Sequence, residues 1–68
     1  MKISYDDGTD LLYLRLDERE QQVENRRVTD DIVLDIGEGG KIVGIEILDA
    51  SKNVSLQGLL PTQYQITT

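Results

Sequence analysis

The sequence contains neither cysteine nor histidine, and these absences exclude several kinds of site. Without cysteine the chain can form no disulfide framework and no thiolate metal site. Without histidine it lacks a common zinc ligand, the side chain that titrates near neutral pH, and the base of most nucleophilic triads. Most hydrolase chemistry is thereby removed, and we expect no catalytic residue, no cofactor and no bound metal.

Long apolar runs and an excess of positive charge are also missing. No segment approaches the roughly 20 consecutive apolar residues of a membrane span, and the start MKISYDDG has no apolar run typical of a leader. Thirteen acidic residues against seven basic ones give a formal net charge of -6, which opposes a nucleic-acid backbone electrostatically. We expect a cytoplasmic protein with neither a membrane nor a nucleic-acid partner.

The length indicates a single domain, 1–68, and the charge distribution sets its C-terminal residues apart from the rest. A chain of 68 residues hides only about 60% of its unfolded surface, so a partner subunit would add stability. Every acidic residue lies between Asp6 and Asp49, whereas residues 53–68 carry no charge. We therefore separate a core, 1–52, from an uncharged C-terminal extension, 53–68.

The densest apolar content lies in residues 31–52 and predicts a β-hairpin. Apolar residues alternate with other residues over 32–36 and 43–47, the period of half-buried strands. The intervening GEGG can take positive φ cheaply and predicts a reversal. A register that pairs Ile36 with Lys41 sets Leu34 opposite Val43 and brings both apolar sets to one face, which a slip of one residue would not do.

The remaining segments complete the predicted fold. Residues 2–5 and 11–16 alternate as strands around the turn 6–10, whereas 17–27 has one aliphatic residue and predicts a solvated loop. Asp49 is predicted to cap a helix over 50–57 that stops at Gly58, and 62–67 forms an extra strand or stays loose. The sequence thus predicts an α+β fold: a small antiparallel β-meander of four strands in two hairpins, followed by a short C-terminal helix.

Several runs of the sequence together resemble a known family. They are MKISYD at 1–6, LYLRL at 12–16, IVLD at 32–35 and, above all, GKIVGIEILDASK at 40–52. On these residues the chain resembles domain-of-unknown-function family 2283, a set of small bacterial proteins. Two departures are that Gly37 and Gly39 replace the acidic or amide residues usual in the second turn, and that the extension after Lys52 lies outside the pattern.

The resemblance implies a fold but no established activity. It implies a small antiparallel sheet followed by a helix that begins at DASK. Some members appear beside toxin-like genes, which implies an antitoxin-like role in which the protein binds a partner.

Two groups of acidic residues are candidates for chemistry. Asp35, Glu46 and Asp49 could form a carboxylate cluster that divides acid and base work or binds a metal ion. The alternative is a solvated ion-pair face, on which Glu46 lies opposite Asp31 and Arg15 relieves the repulsion. The aspartates of the turn 6–10 could likewise bind a hard cation, but such side chains more often cap turn backbone.

The candidate partner surface combines a polar and an apolar element. Tyr13 and Arg15 share the polar face of the second strand, and both residue types are enriched at interface hot spots; packing at the core or its rim is the alternative for the tyrosine. The uncharged extension adds apolar side chains that a small sheet cannot all cover. These extension residues are Leu56, Leu59, Leu60 and Tyr64.

Two functions follow from these features. The first is a non-enzymatic binding protein that forms a homo-oligomer and binds a basic protein. The alternative is a small carboxylate-based enzyme or metal-binding protein that uses Asp35, Glu46 and Asp49.

Overall fold

Five strands form an antiparallel sheet in this computed structural model, which describes residues 1–55 and 57 and the backbone of 64–66. The strands are β1 (Lys2–Asp6), β2 (Leu11–Arg15), β3 (Glu24–Arg27), β4 (Ile32–Ile36) and β5 (Ile42–Ile47). A short helix, α1 (Ala50–Asn53), follows, and the backbone of β6 (Tyr64–Ile66) runs parallel to β1. The sheet order is β3-β4-β5-β2-β1-β6. The predicted α+β class is confirmed, and the extra strand left open over 62–67 forms at 64–66.

The prediction of a loop over 17–27 is wrong for residues 24–27, and so is the four-stranded meander. Glu24–Arg27 pairs with β4 as an edge strand, and all four of its residues are exposed. Main-chain hydrogen bonds hold such a strand without apolar side chains, so the sequence carries no period-two signal. In a meander β2 would lie beside β4, but here it pairs with β5.

The β4–β5 hairpin forms with a different register, and the predicted apolar face is confirmed except at Val43. Leu34 lies opposite Ile45 rather than Val43. The predicted reversal is confirmed, since Gly39 and Gly40 have φ values of 73° and 75°.

Beyond a bulge in this hairpin the register is shifted by two residues, so Ile45 and Ile47 keep their predicted face. Between the turn and the bulge the shift is one residue. Ile42 therefore pairs with Ile36 on the apolar side, and Val43 lies on the polar side.

The two-residue shift has two separate causes. The turn is one residue wider than predicted, because the Gly37 N–H donates to the Lys41 carbonyl at 2.7 Å and Ile36 pairs with Ile42. A bulge beside Asp35 adds the second residue. Bulges leave little trace in an apolar pattern, so a register counted from the turn misses them.

One side of the sheet is apolar, and α1 covers one end of it. Ile3, Tyr5, Leu12 and Ala50 form the buried cluster, with Val54 packed against it. The far end of this apolar face is less covered: Leu16 and Ile42 are 44% and 45% exposed. We call the residues at this far end the open half: Leu16, Leu34, Ile36 and Ile42.

Helix α1 is one turn long, not the two turns predicted over 50–57, and Asp49 does not cap it with its side chain. Asp10, in the β1–β2 turn, does so instead. Its carboxylate accepts the Ser51 N–H at 3.0 Å, the Ser51 hydroxyl at 2.7 Å and the Tyr5 hydroxyl at 2.7 Å. These hydrogen bonds, the Ser51 hydroxyl first, lower the pKa of Asp10. Among the described residues no helix is long and apolar enough to cross a membrane.

Candidate functional site

The side of the sheet opposite α1 carries a chain of polar side chains across four strands. The register sets Tyr13 of β2 opposite Glu46 of β5, and Asn25 of β3 opposite Asp35 of β4. Period-two alternation turns all four away from the apolar face. We call Tyr13, Asn25, Asp35 and Glu46 the polar network.

Asp35 is the centre of the polar network. It is 7% exposed, and a buried carboxylate requires hydrogen-bond donors. The Tyr13 hydroxyl donates to Asp35 Oδ2 at 2.9 Å, and Asn25 Nδ2 donates to Asp35 Oδ1 at 2.5 Å. The Asn25 amide also reaches Glu46 Oε2 at 3.5 Å. Both oxygens of Asp35 are therefore bonded within the chain.

Gly44 makes room for the tyrosine of this network. A Cβ atom built on Gly44 would lie 2.1 Å from the Tyr13 hydroxyl oxygen and 2.7 Å from Cζ. The ring thus occupies the space of the missing side chain and reaches across β5 to Asp35 on β4. Glycine in a strand often marks such a close approach.

Glu46 is the carboxyl group of the polar network whose pKa is raised by folding. Burial raises its pKa, and the neighbouring Asp35 carboxylate raises it further, while Arg27 acts in the opposite direction. Burial and Asp35 also raise the pKa of Tyr13. Folding therefore makes Glu46 a weaker acid than it is in the unfolded chain.

A cleft of about 880 Å³ opens beside the network. Tyr13, Asp35 and Val43 line it from the sheet, and the segment 17–23 provides the opposite wall. The Arg15 guanidinium lies 5.4 Å from the centre of the Tyr13 ring, a cation–π distance. Arg19 on the far wall pairs with Asp17 at 2.8 Å. The cleft thus has a phenol and a carboxylate on the sheet side and is surrounded by both basic and acidic side chains.

The carboxylates predicted as a cluster are only partly brought together. Asp35 and Glu46 meet, but Asp49 lies beyond the end of β5, at the start of α1. The predicted contact of Glu46 with Asp31 is wrong, because Glu46 pairs with Val33. No group of three acidic residues in the described part of the chain could hold a metal ion.

The residues predicted as a partner surface have different surroundings. Tyr13 is half-buried and bonded within the chain, whereas Arg15 is exposed. Leu56, Leu59 and Leu60 lie outside the described residues, and for Tyr64 only the backbone is described, paired with Ile3. In the turn 6–10 the Asp6 side chain accepts the Gly8 N–H at 2.9 Å, the capping role predicted there.

Asn25 is the functional candidate that the sequence did not indicate. It lies in the charged run DEREQQVENRR, where no alternation assigns it to a face. The available signal was its position ten residues before Asp35, with a turn at 28–31 between them. A hairpin around that turn would place Asn25 opposite Asp35. The pairing could be inferred only if β3 had first been recognised as a strand.

The fold and the polar network together define the structural class of this protein. It is a small α+β domain built on one antiparallel sheet that is apolar on one side and polar on the other. The model of the family described as "Protein of unknown function (DUF2283)" matches residues 2–51, and the chain belongs to that family. No curated protein and no solved structure matches the chain.

Glutamine in place of Glu46 is expected to make the protein less sensitive to pH. The raised pKa means that Glu46 contributes stability below its unfolded value of 4.5, and that this contribution is lost as pH rises through the folded value. Glutamine stays neutral and can still donate to Asp35. The free energy of unfolding of Glu46→Gln, measured by urea denaturation, should therefore increase relative to wild type as the pH rises above 4.5. A pH-independent difference would contradict the raised pKa of Glu46.

Proposed function

We propose that this chain is a non-enzymatic protein-binding module, a cytoplasmic protein that homo-oligomerises and binds a basic partner protein in the manner of an antitoxin. The observation that carries the proposal is the open half of the apolar face. Its central residues Leu34 and Ile36 are half-buried, and Leu16 and Ile42 are exposed. Contiguous exposed apolar surface on a small protein marks protein contacts.

The charges around the open half support a protein partner. On this face β3 contributes Glu24 and Arg26, which form an ion pair at 3.3 Å and leave the face electrically balanced. The excess acidic charge of the chain therefore lies on the turns and loops between the strands. Apolar contact on a neutral face, with a net charge of -6 over the whole chain, suits a partner that is apolar at the contact and basic overall.

The polar network supports a structural role for the buried carboxylate. Tyr13 and Asn25 occupy both oxygens of Asp35, so these groups are engaged with one another. A network whose hydrogen bonds are all made within the chain stabilises the pairing of four neighbouring strands, β3, β4, β5 and β2. That role requires no substrate.

The test is a comparison of two lysine substitutions at exposed aliphatic residues. Ile42→Lys places a charge on the open half, whereas Val28→Lys places one in the β3–β4 turn, where Val28 is 56% exposed. With the tagged chain as bait in an extract of its native source, we expect a basic protein retained by wild type and Val28→Lys and lost with Ile42→Lys. Circular dichroism melts control for folding.

Two results of the same experiment would contradict the proposal. Equal retention by all three baits would show that the open half is not the binding surface. Loss of the partner with Arg15→Glu, on the opposite face, but not with Ile42→Lys would move the contact to the polar face.

A carboxylate-based enzyme is the second candidate, because Asp35 and Glu46 do meet beside a cleft. Two carboxyl groups with separated pKa values can act as acid and base. Both candidates are compatible with the raised pKa of Glu46, so the partner experiment separates them. A partner that is lost with Ile42→Lys favours the binding module, and the absence of any retained partner favours the enzyme.

A further inference from the structure

The outer edge of β3 presents main-chain groups that no other described strand pairs with. β3 is the first strand in the sheet order and, among the described strands, pairs with β4 alone. The Val28 N–H donates to the Ile32 carbonyl at 2.8 Å. Because antiparallel hydrogen bonds alternate along a strand, the N–H and C=O groups of Asn25 and Arg27 point away from β4. An added strand can take up these donors and acceptors.

We propose that the strand which pairs with this edge is β3 of a second copy of the chain, antiparallel and related by a two-fold axis through Asn25. The inference rests on the homo-oligomer of the proposed function and specifies its geometry. Asn25 then lies opposite the partner's Asn25, and Glu24 lies opposite the partner's Arg26. The two sheets become one continuous sheet.

The register follows from the charges of β3. In a continuous sheet, directly opposite residues point to the same face, so the axis must pass through a residue and not between two. An axis through Glu24 or through Arg26 sets that residue against its own copy, which is a like-charge pair. An axis through Asn25 sets opposite charges against each other twice. Like charges directly opposite are destabilising and opposite charges are stabilising.

The main-chain pattern agrees with the same axis. Asn25 is a residue whose N–H and C=O point outward, so two copies can exchange both hydrogen bonds at the centre. Glu24 and the partner's Arg26 then form the non-hydrogen-bonded pair, in which side chains approach most closely.

The charges of β3 do not protect its edge against a copy of itself. Edges carrying charges of one sign repel one another, but Glu24 and Arg26 are complementary to a second copy. Within one chain their ion pair is exposed, with 63% of each side chain accessible, so both are free to exchange partners. With Arg27 the strand carries one acid and two bases. Because each chain has a net charge of -6, contact through this locally basic strand reduces the electrostatic repulsion between the two copies.

Charge reversal on the full chain tests the register. We measure the dimer dissociation constant by sedimentation equilibrium at micromolar to submillimolar concentration. Glu24→Arg and Arg26→Glu should each raise it by roughly tenfold or more, since each turns two attractive pairs into repulsive ones. The double variant E24R/R26E restores both pairs and should return to within about threefold of wild type. Lys2→Glu makes the same charge change as Arg26→Glu, but on β1, far from β3 in the sheet order, and should have no effect.

Each contrary result identifies what fails. A wild-type chain that stays monomeric throughout this range would overturn both the edge pairing and the homo-oligomer, while the partner test with Ile42→Lys would still stand by itself. A wild-type dimer with an affinity that none of the charge variants changes would overturn the edge pairing and leave the homo-oligomer intact. Circular dichroism shows that each variant is folded.

Discussion

Alanine in place of Leu12 is expected to remove a large part of the free energy of unfolding of the protein. Leu12 is 2% exposed and lies in the buried cluster with Ile3, Tyr5 and Ala50. Removing a buried leucine side chain costs about 2–5 kcal/mol, and a domain of this size has a total stability on the order of 3–10 kcal/mol. Urea denaturation followed by circular dichroism measures the loss.

The matched control is Leu16→Ala, the same substitution four residues later. Leu16 is 44% exposed and lies on the open half, so less than about 1 kcal/mol should be lost. If both variants lose the same free energy, the apolar face is not divided into a covered and an open half. Leu16→Ala can also be used in the partner experiment, since it reduces the apolar area of the open half without adding charge.

Alanine in place of Gly44 is expected to destabilise the protein by about 1–3 kcal/mol. The added methyl group would overlap the hydroxyl end of Tyr13, which lies 2.1 Å from the Cβ position. The ring can move aside, but its hydroxyl then leaves Asp35, which is 7% exposed and loses a donor. The free energy of unfolding by urea is the measurement.

A double-mutant cycle with Tyr13→Ala separates this cause from a general effect of alanine. In the Tyr13→Ala background nothing occupies the space above Gly44, and glycine in a strand is less favourable than alanine. Gly44→Ala should then be neutral or stabilising. A cost that persists in that background would mean that Tyr13 is not the source of the clash.

The faces of the sheet could be predicted from the sequence because burial repeats every second residue. Leu34 and Ile45 share a face although their register was two residues off, since an even shift preserves faces. The bulge and β3 could not be predicted, because neither depends on apolar side chains. The cap of α1 was assigned to Asp49, the nearest acidic residue, whereas Asp10 reaches the helix from another turn.

For the candidate site, the sequence predicted which residues share the polar face but not which of them are in contact. The sequence placed Tyr13, Arg15, Asp35 and Glu46 on one polar face, and they lie there. It could not pair Asp35 with Asn25, because that pairing depends on the edge strand. The contact of Tyr13 with Asp35 depends on a glycine in the intervening strand, and Gly44 alone gives no sign of which side chain fills its space.

The bond from Asp10 to Ser51 also makes α1 depend on distant parts of the chain. A single helical turn is unstable in isolation, and its acceptor lies 41 residues away in the chain. We therefore expect α1 to be stable only when the first hairpin and β5 are both in place. Contacts of such long sequence separation slow the search for the native state. The family match ends at residue 51, so it includes both partners of this bond, Asp10 and Ser51.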